Sequence, residues 1–380
     1  MRIGILTLPL HTNYGGILQA YALQTILEIM GHQVVVFNKK IKYSLSLWRL
    51  PLSFTKRIIK KYIIGRKDTR IFAELYQKRD FPIIAQHTQY FINQYINTYK
   101  VDSFSTLKEV DFDALVVGSD QVWRFKYFVS MFGEGIENAF LLFAKDWRTR
   151  KIAYAASFGV DIWELSKKQT RECKELIKKF DFISVREDSA VDLCKRYLGV
   201  DNVEHVLDPT LLLKKEDYID LVLQENEPVS GGNLFYYLLD KNEQKMSAVE
   251  KTAQFLNLNP FTVMPIDNRS RNIEDRVYPT VTKWLRGFMD AKFVVTDSFH
   301  GVVFSILFNI PFVVISNETR GSARFLSVLK MFSLENRLIN NSDDLNKISS
   351  SPINWDFVNN VHEQLKEKSY NLLNSNLIPQ

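Results

Sequence analysis

The fold is decided by the N-terminal segment Ile3-Gly-Ile-Leu-Thr-Leu8, which is followed by the turn Asn13-Tyr-Gly-Gly16 and by an apolar helical pattern from Ile17 to Met30. A short apolar run, a glycine turn and a helix predict a first parallel strand with its crossover helix, and Gly31 is typical of a left-handed helix cap. Val34 to Phe37 then predicts a second strand. Because helices that lie between strands impose parallel pairing, this segment indicates an α/β fold.

The alternation of strands and helices continues along the chain and restarts near residue 206. The later predicted strands are 114–118, 151–156, 182–185, 234–239, 261–264, 293–296 and 312–315. We therefore expect two Rossmann-like domains, residues 1–205 and 206–350, whose strand-end loops face each other across a cleft. Residues 351–380 have helical spacing and are expected to form a helix that packs back on the domains.

The composition agrees with a globular protein of two domains. Of the 380 residues 46% are hydrophobic and 24% charged, which excludes disordered, collagen-like and coiled-coil proteins. The two cysteines, Cys173 and Cys194, are too few for a disulfide framework or a four-cysteine zinc site. No cluster of side chains requires a metal, and we expect no cofactor.

No stretch of the sequence is typical of export or of a membrane span. The apolar N-terminus lacks a small-residue cleavage site, and the longest apolar stretch, 301–315, is interrupted by Asn309 and Pro311. We therefore expect a cytoplasmic protein.

A basic region interrupts the first domain, where residues 39–100 are predicted to form a helical insertion. Between Lys39 and Arg70 the sequence has eleven Lys or Arg and one acid, so this window carries +10 and the rest of the chain −4. Such a local patch favours one anionic surface over nucleic acid, and we expect no nucleic-acid partner. Apolar residues at helical spacing between the cations suit peripheral contact with an anionic membrane at its inner face. The alternative is a helix that docks on its own domain and exposes its basic face to solvent.

Candidate anion-binding residues follow several predicted strands. The turn Asn13-Tyr-Gly-Gly16 opens a helix whose free N–H groups suit an anion, although an ordinary tight turn also uses glycine. Arg186, in Ser184-Val-Arg-Glu-Asp188, suits forked binding of a carboxylate or phosphate, and the alternative is a salt bridge to a neighbouring acid. Arg324, after the turn Gly321-Ser322, is a second candidate cation, and the alternative is a solvated arginine on a helix.

Candidate sugar-binding residues lie in Gly118-Ser-Asp-Gln-Val-Trp-Arg124, directly after another predicted strand. Asp120 and Gln121 can hold sugar hydroxyls, and Trp123 offers an apolar face to a sugar ring. The alternative places Trp123 in the core and Asp120 at a helix cap. The motif Asp111-Phe-Asp113 precedes its strand, which is the wrong end for the cleft, so we do not interpret it as a metal site.

The sharpest candidate is Thr296-Asp-Ser-Phe-His-Gly301, where a predicted strand ends and a helix begins. Histidine exchanges protons near neutral pH, and a helix N-terminus beside it favours an anion. Of the six histidines, we take His300 as the one that lies at a strand–helix junction among small polar groups. The sequence therefore predicts His300 as a catalytic acid or base.

Taken in order, five motifs resemble the polysaccharide pyruvyl transferase family. They are Asn13-Tyr-Gly-Gly16 with Leu18-Gln-Ala-Tyr-Ala-Leu-Gln24, Val117-Gly-Ser-Asp-Gln-Val-Trp123, Ser184-Val-Arg-Glu187, Asp208-Pro-Thr210 and Thr296-Asp-Ser-Phe-His-Gly301. The resemblance runs from about Arg2 to Arg324. It implies a GT-B-like architecture and the transfer of a pyruvyl group from phosphoenolpyruvate to a sugar of a surface polysaccharide or of its lipid-linked precursor, as a ketal.

The resemblance implies an acid or base role for His300 and a donor-binding role for Arg186, whereas the roles of the other candidate residues are our own assignments from the motifs. His300 is the expected acid or base. The expected donor-binding residues are Arg186, Arg324, Ser298, Asn13, Gly15 and Gly16. The expected acceptor-binding residues are Asp120, Gln121, Trp123 and Asp297.

One position departs from the family. Several members resemble one another in an Arg-Leu-His sequence, with arginine two residues before the histidine, whereas this chain has Ser298 there. Either Arg324 supplies the missing cation or the donor differs. Two other functions stay open: a glycosyltransferase that uses a nucleotide-sugar, and a non-catalytic protein that binds carbohydrate or membrane.

Overall fold

Seven parallel strands form the first sheet of the computed structural model, which describes residues 1–39, 50–63, 73–268, 270–316, 323–339 and 350–378. The strands are β1 (Arg2–Leu6), β2 (Gln33–Lys39), β3 (Thr98–Val101), β4 (Ala114–Val117), β5 (Arg150–Ala156), β6 (Phe182–Val185) and β7 (Glu204–His205). Their order across the sheet is β3-β2-β1-β4-β5-β6-β7. The first six strands thus follow the order of the Rossmann fold.

Helices connect these strands, as parallel pairing requires. They are α1 (Tyr14–Ile29), α2 (Leu50–Ile58), α3 (Ala73–Ile84), α4 (Gln86–Tyr95), α5 (Phe125–Phe132), α6 (Lys167–Ile177) and α7 (Asp188–Leu193). Two of them continue as π-helical turns, α2 through Ile59–Ile63 and α7 through Cys194–Leu198. Gly31, predicted as a left-handed cap, has a φ of +86° after α1.

The predicted helical insertion at 39–100 needs a correction at both ends. β2 extends through Lys39, and the region closes with the edge strand β3, which pairs in parallel with β2. Because Thr98 and Lys100 of β3 are exposed and only Val101 is buried, the strand forms no apolar run that would reveal it. Residues 40–49 and 64–72 of the basic region lie outside the described residues.

The second sheet has five parallel strands. They are β8 (Leu234–Tyr237), β9 (Pro260–Phe261), β10 (Phe293–Thr296), β11 (Phe312–Ile315) and β12 (Leu338–Ile339). Their order is β12-β11-β10-β8-β9, so that, counted within this domain, they run 2-1-3-4-5 as in flavodoxin-like folds. The strand predicted at 261–264 was placed too late, since β9 ends at Phe261 and the chain then leaves the sheet edge towards the cleft.

The helices of this half are α8 (Lys215–Gln224), α9 (Glu243–Leu256), α10 (Val281–Asp290), α11 (Phe299–Leu307), α12 (Ala323–Met331) and α13 (Trp355–Leu377). Helix α13 returns to the first domain. Arg150 Nη1 in β5 donates to the carbonyl of Asn376 at 2.7 Å, and the amide of Leu207, at the start of the second domain, donates to Ser369 Oγ at 3.1 Å. Among the described residues, no helix combines the length and the apolarity that a membrane span needs.

The two domains pack through α1. Tyr14 of α1 stacks on Trp284 of α10, with ring centroids 5.8 Å apart, and its hydroxyl donates to the carbonyl of Pro279 at 2.9 Å. One apolar cluster therefore runs from α1 into the second domain. The predicted fold, an α/β protein of two Rossmann-like domains in a GT-B-like architecture, is confirmed. The first sheet ends at His205 and the second begins at Leu234, so the predicted boundary at 205/206 lies between them.

Candidate active site

A cavity of about 390 Å³ lies between the two sheets. Each sheet contributes the loops at its topological switch point, which lies between β1 and β4 in the first and between β8 and β10 in the second. Open α/β sheets bind ligands at this point, because adjacent loops there diverge to opposite faces. The polar lining residues from these loops are His11, Thr12, Asn13, Asp120, Gln121, Asp297, Ser298 and His300.

His300 is the second residue of α11 and forms part of the cavity wall. Gly301 behind it permits close contact with the end of β10, since a Cβ at 301 would lie 2.1 Å from Thr296 Oγ1. Burial lowers the pKa of His300 to about 4, against the opposing effect of the Asp208 carboxylate. The imidazole is therefore neutral at pH 7 and able to accept a proton.

Asp208 is a fully buried carboxylate beneath His300, with its Oδ2 3.8 Å from His300 Nε2. The same oxygen accepts hydrogen bonds from Ser119 Oγ and Arg186 Nη1, both at 2.8 Å, and Oδ1 accepts from Thr210. Burial is the largest single effect on Asp208 and raises its pKa, but the Arg186 guanidinium, the His300 imidazole and the hydrogen bonds from Arg186 and Thr210 together outweigh it, so the pKa lies below its ordinary value. Asp208 is thus a fixed negative charge that favours a proton on His300.

The two predicted cations occupy different places. Arg186 is not among the described residues that line the cavity, and its side chain is 1% exposed. Its guanidinium pairs with Asp208 and lies 4.3 Å from the centre of the Phe299 ring. Arg324 of α12 lines the cavity, and its guanidinium is 5.9 Å from the same ring. The pKa of Arg324 is lowered to about 10, mainly by burial and to a smaller extent by the nearby charge of Arg186. The guanidinium therefore stays charged at neutral pH.

The helix that carries Arg324 is fastened to the first domain. Ser327 Oγ accepts a hydrogen bond from the amide of Asp188 at 3.0 Å and lies 3.2 Å from His205 Nε2. Lys330 and Asp188 add a salt bridge at 3.6 Å. Because Asp188 follows Arg186 by two residues, one contact orients both arginine-bearing segments relative to each other.

The glycines of the first turn bring α1 against the site. A Cβ at Gly15 would lie 2.0 Å from His300 Nδ1, and one at Gly16 would lie 3.1 Å from Asp120 Oδ2. Asn13 reaches the cavity wall, whereas neither glycine does. The two glycines therefore act by permitting close approach of the helix to His300 and Asp120.

We expect Gly15→Ala to destabilise the protein by about 1–3 kcal/mol, the usual cost of an overpacked core. The added methyl group would overlap the imidazole of His300, so either α1 or α11 must move. Urea unfolding measures the change. Gly231→Ala is the matched control, because a Cβ there meets nothing within 4 Å. Equal stability of the two variants would contradict the close contact.

The structure brings three of the four predicted acceptor residues to the cavity. Asp120, Gln121 and Asp297 line it, although Asp297 is also engaged with Lys245 Nζ at 2.5 Å and with the amide of Leu239 at 2.6 Å. Asp297 therefore also holds the loop after β8.

Trp123, the fourth predicted acceptor residue, does not reach the cavity. It is fully buried, stacks on Phe140 at 5.0 Å and donates from Nε1 to the carbonyl of Ala139 at 3.1 Å. Its apolar ring gains more from the aromatic core than from a wet cleft, so the alternative interpretation as a core residue describes it.

Sequence reasoning missed several residues of the site. His11 also lies at a strand–helix junction and lines the cavity, so His300 is not alone in that position. Burial lowers the pKa of His11, and Asp120 opposes this shift. The order His11-Thr12-Asn13 after β1 was the available signal.

Asp208 received no role because β7, with two residues, is too short to show a strand pattern. An aromatic and apolar wall, which includes Tyr127, Met131, Tyr237, Leu239, Met264 and Tyr278, had no sequence signal.

Within the described ranges, no three His, Cys, Asp or Glu side chains are grouped so that they could hold a metal ion. Cys173 and Cys194 are both buried and unpaired. The cavity thus combines a neutral imidazole, a buried carboxylate behind it and an arginine at its wall.

The family model for polysaccharide pyruvyl transferase matches residues 13–319. The chain therefore belongs to the polysaccharide pyruvyl transferase family, a family of transferases. No match was found among curated proteins.

Solved structures show similarity over the whole chain at low identity. LpCGTa in complex with UDP is 10% identical, with a TM-score of 0.45 and coverage of 99% of this chain and 98% of that one. Sucrose-phosphate synthase from Thermosynechococcus elongatus is 10% identical, with a TM-score of 0.45 and coverage of 98% and 94%. UDP-GlcNAc 2-epimerase from Neisseria meningitidis, bound to UDP-GlcNAc, is 9% identical, with a TM-score of 0.44 and coverage of 97% and 99%.

Proposed function

We propose that this protein transfers the pyruvyl group of phosphoenolpyruvate to two hydroxyls of a saccharide and so forms a pyruvate ketal. The saccharide would belong to a surface polysaccharide or to its lipid-linked precursor. The observation that carries the proposal is the meeting of His300, the Asp208 carboxylate behind it and the Arg324 guanidinium at one cavity in a member of this family.

The reaction requires a group that moves protons. C3 of the enolpyruvyl group gains a proton, C2 forms bonds to two saccharide oxygens, and the bond from C2 to the phosphate oxygen breaks. Of the two hydroxyl protons, one ends on C3 and the other leaves with inorganic phosphate. Neutral His300 can accept the proton of the attacking hydroxyl, and Asp208 at 3.8 Å stabilises the imidazolium that results.

Binding of the donor requires cations and oriented N–H groups. Phosphoenolpyruvate carries a carboxylate and a phosphate, and arginine binds both in a forked geometry. The start of α11, where Ser298 is the N-cap residue, adds the positive end of a helix. Arg324 at the cavity wall supports the idea that it supplies the cation that the family motif places at position 298.

Binding of the acceptor falls to the first-domain side of the cavity in this proposal. Asp120 and Gln121 follow β4 there, and carboxylate and amide groups are suited to hydrogen bonds with sugar hydroxyls. Tyr237 and Tyr278 on the opposite wall offer apolar ring surface to a sugar or to its carrier.

A thermal-shift titration with phosphoenolpyruvate tests the donor. A ligand that binds only the folded state stabilises it by about 2.7 kcal/mol at one hundred times its Kd, so the melting temperature rises. We expect Arg324→Gln to weaken phosphoenolpyruvate binding at least tenfold, because a hydrogen bond to a charged group contributes about 1.5–3 kcal/mol. Arg196→Gln, on the exposed surface after α7, is the matched control.

The comparison ligands separate the other functions. Stabilisation by a nucleotide-sugar and not by phosphoenolpyruvate would overturn the donor and favour a glycosyltransferase. Saccharide binding without phosphate release from phosphoenolpyruvate would favour a non-catalytic relative. An unchanged affinity of Arg324→Gln for phosphoenolpyruvate would contradict the proposed role of Arg324 but not the proposed reaction.

A further inference from the structure

The segment Leu50–Ile63 has two opposed faces of different chemistry. Helix α2 and its π-helical turn cover the segment without interruption. Ile58, Ile59, Tyr62 and Ile63 follow the spacing i, i+1, i+4 and i+5, which places them on one side of a helix. The basic residues repeat that spacing two positions earlier, as Lys56, Arg57, Lys60 and Lys61. An offset of two residues is about 200° around an α-helix and somewhat less around the π-helical turn, so in both parts the basic positions fall on the opposite side.

The apolar side of this segment is exposed at its four apolar residues from Ile58 onwards, whereas Phe54, one turn earlier, is half-buried. Ile58 is 44% exposed, Ile59 39%, Tyr62 70% and Ile63 77%. A helix that docked on its own domain would instead bury this side, because burial of apolar surface drives such packing. The exposure therefore argues against the interpretation as a helix docked on its own domain.

The charge of the region selects the partner. The window Lys39–Arg70 carries +10, and the rest of the chain carries −4. Two copies of the protein that met through this face would bring two such windows together, at the cost of their repulsion. An anionic lipid surface accepts the apolar side between its acyl chains and pairs the cations with its headgroups.

We propose that Leu50–Ile63 is an interfacial helix that binds the protein peripherally to an anionic lipid bilayer. The chain outside Lys39–Arg70 carries −4 and is repelled overall by the same surface, which favours attachment through this basic region. This contact requires neither a donor nor an acceptor substrate and stands apart from the proposed reaction.

Co-sedimentation of the full chain with vesicles of phosphatidylglycerol, compared with vesicles of phosphatidylcholine, tests the proposal at low and at high salt. We expect binding to the anionic vesicles that weakens as salt increases. Lys60→Glu with Lys61→Glu should weaken it by roughly 25-fold or more, since each cation near the surface contributes about fivefold. Ile58→Ser with Ile63→Ser should weaken it also at low salt, because the apolar contact is lost.

Two controls keep the outcome specific. Lys168→Glu with Lys195→Glu makes the same charge change at exposed positions outside the window, and should leave most of the binding intact. Light scattering of the free protein measures whether Ile58→Ser with Ile63→Ser dissolves a dimer. Failure of the wild-type chain to bind phosphatidylglycerol vesicles, or a dimer that depends on these isoleucines, would overturn the proposal.

Discussion

His300→Gln is expected to lower the rate of phosphate release from phosphoenolpyruvate, in the presence of a saccharide acceptor, by about 10²–10⁴-fold. This is the usual contribution of a positioned general acid or base. Glutamine keeps much of the side-chain volume and the polarity but cannot take up a proton at neutral pH. His87→Gln, in α4 outside the cavity wall, is the matched control and should retain the wild-type rate.

The same variant has a second readout that does not depend on substrate. The pKa of His300 is about 4 in the folded protein and about 6.5 in the unfolded chain, so the unfolded chain binds more protons between these values. Stability contributed by neutral His300 is present above pH 6.5 and is lost as the pH falls towards 4. Between about pH 6.5 and pH 5 the wild type should therefore lose roughly 2 kcal/mol more than His300→Gln.

These two readouts separate function from structure. If the variant loses the acid sensitivity but keeps the wild-type rate, the low pKa of His300 is confirmed and His300 has no role in catalysis. A variant that retains the acid sensitivity would contradict the low pKa of His300, because the other buried histidines would then explain the wild-type behaviour.

Asp208→Asn is expected to destabilise the folded protein by about 3–5 kcal/mol. The change removes the only carboxylate that pairs with Arg186 among the described residues, and that guanidinium is 1% exposed. Loss of one partner of a buried ion pair leaves the other charge uncompensated in a medium of low polarity. The free energy of unfolding in urea measures the effect, and catalysis should fall as well because His300 loses its nearby negative charge.

A double-mutant cycle tests whether the pair is the cause. Arg186→Met combined with Asp208→Asn removes both charges, so the double variant should be more stable than the sum of the single changes predicts. Asp146→Asn, at an exposed salt bridge with Lys179, is the control and should cost less than 1 kcal/mol. Additive single effects would show that Arg186 and Asp208 do not stabilise each other.

Local pattern in the sequence predicted most of the fold. Buried parallel strands such as β4 and β10 are runs of apolar residues, which in β10 end at Thr296, because helices cover both of their faces. The edge strand β3 and the two-residue strand β7 lack such runs, so they were missed. Asp208, which follows β7, therefore went without a role until the sheet showed where it lies.

The sequence by itself determined that the chain alternates strands with helices and that polar motifs, with His300 among them, follow the strand ends. Only the tertiary structure decided that Arg324 and not Arg186 faces the cavity, that Asp208 lies beneath His300, and that Trp123 belongs to the core. The physical reason is one of range. Apolar periodicity reports the surroundings of a residue within one or two turns, whereas the approach of Gly15 to His300 depends on how two separate sheets pack.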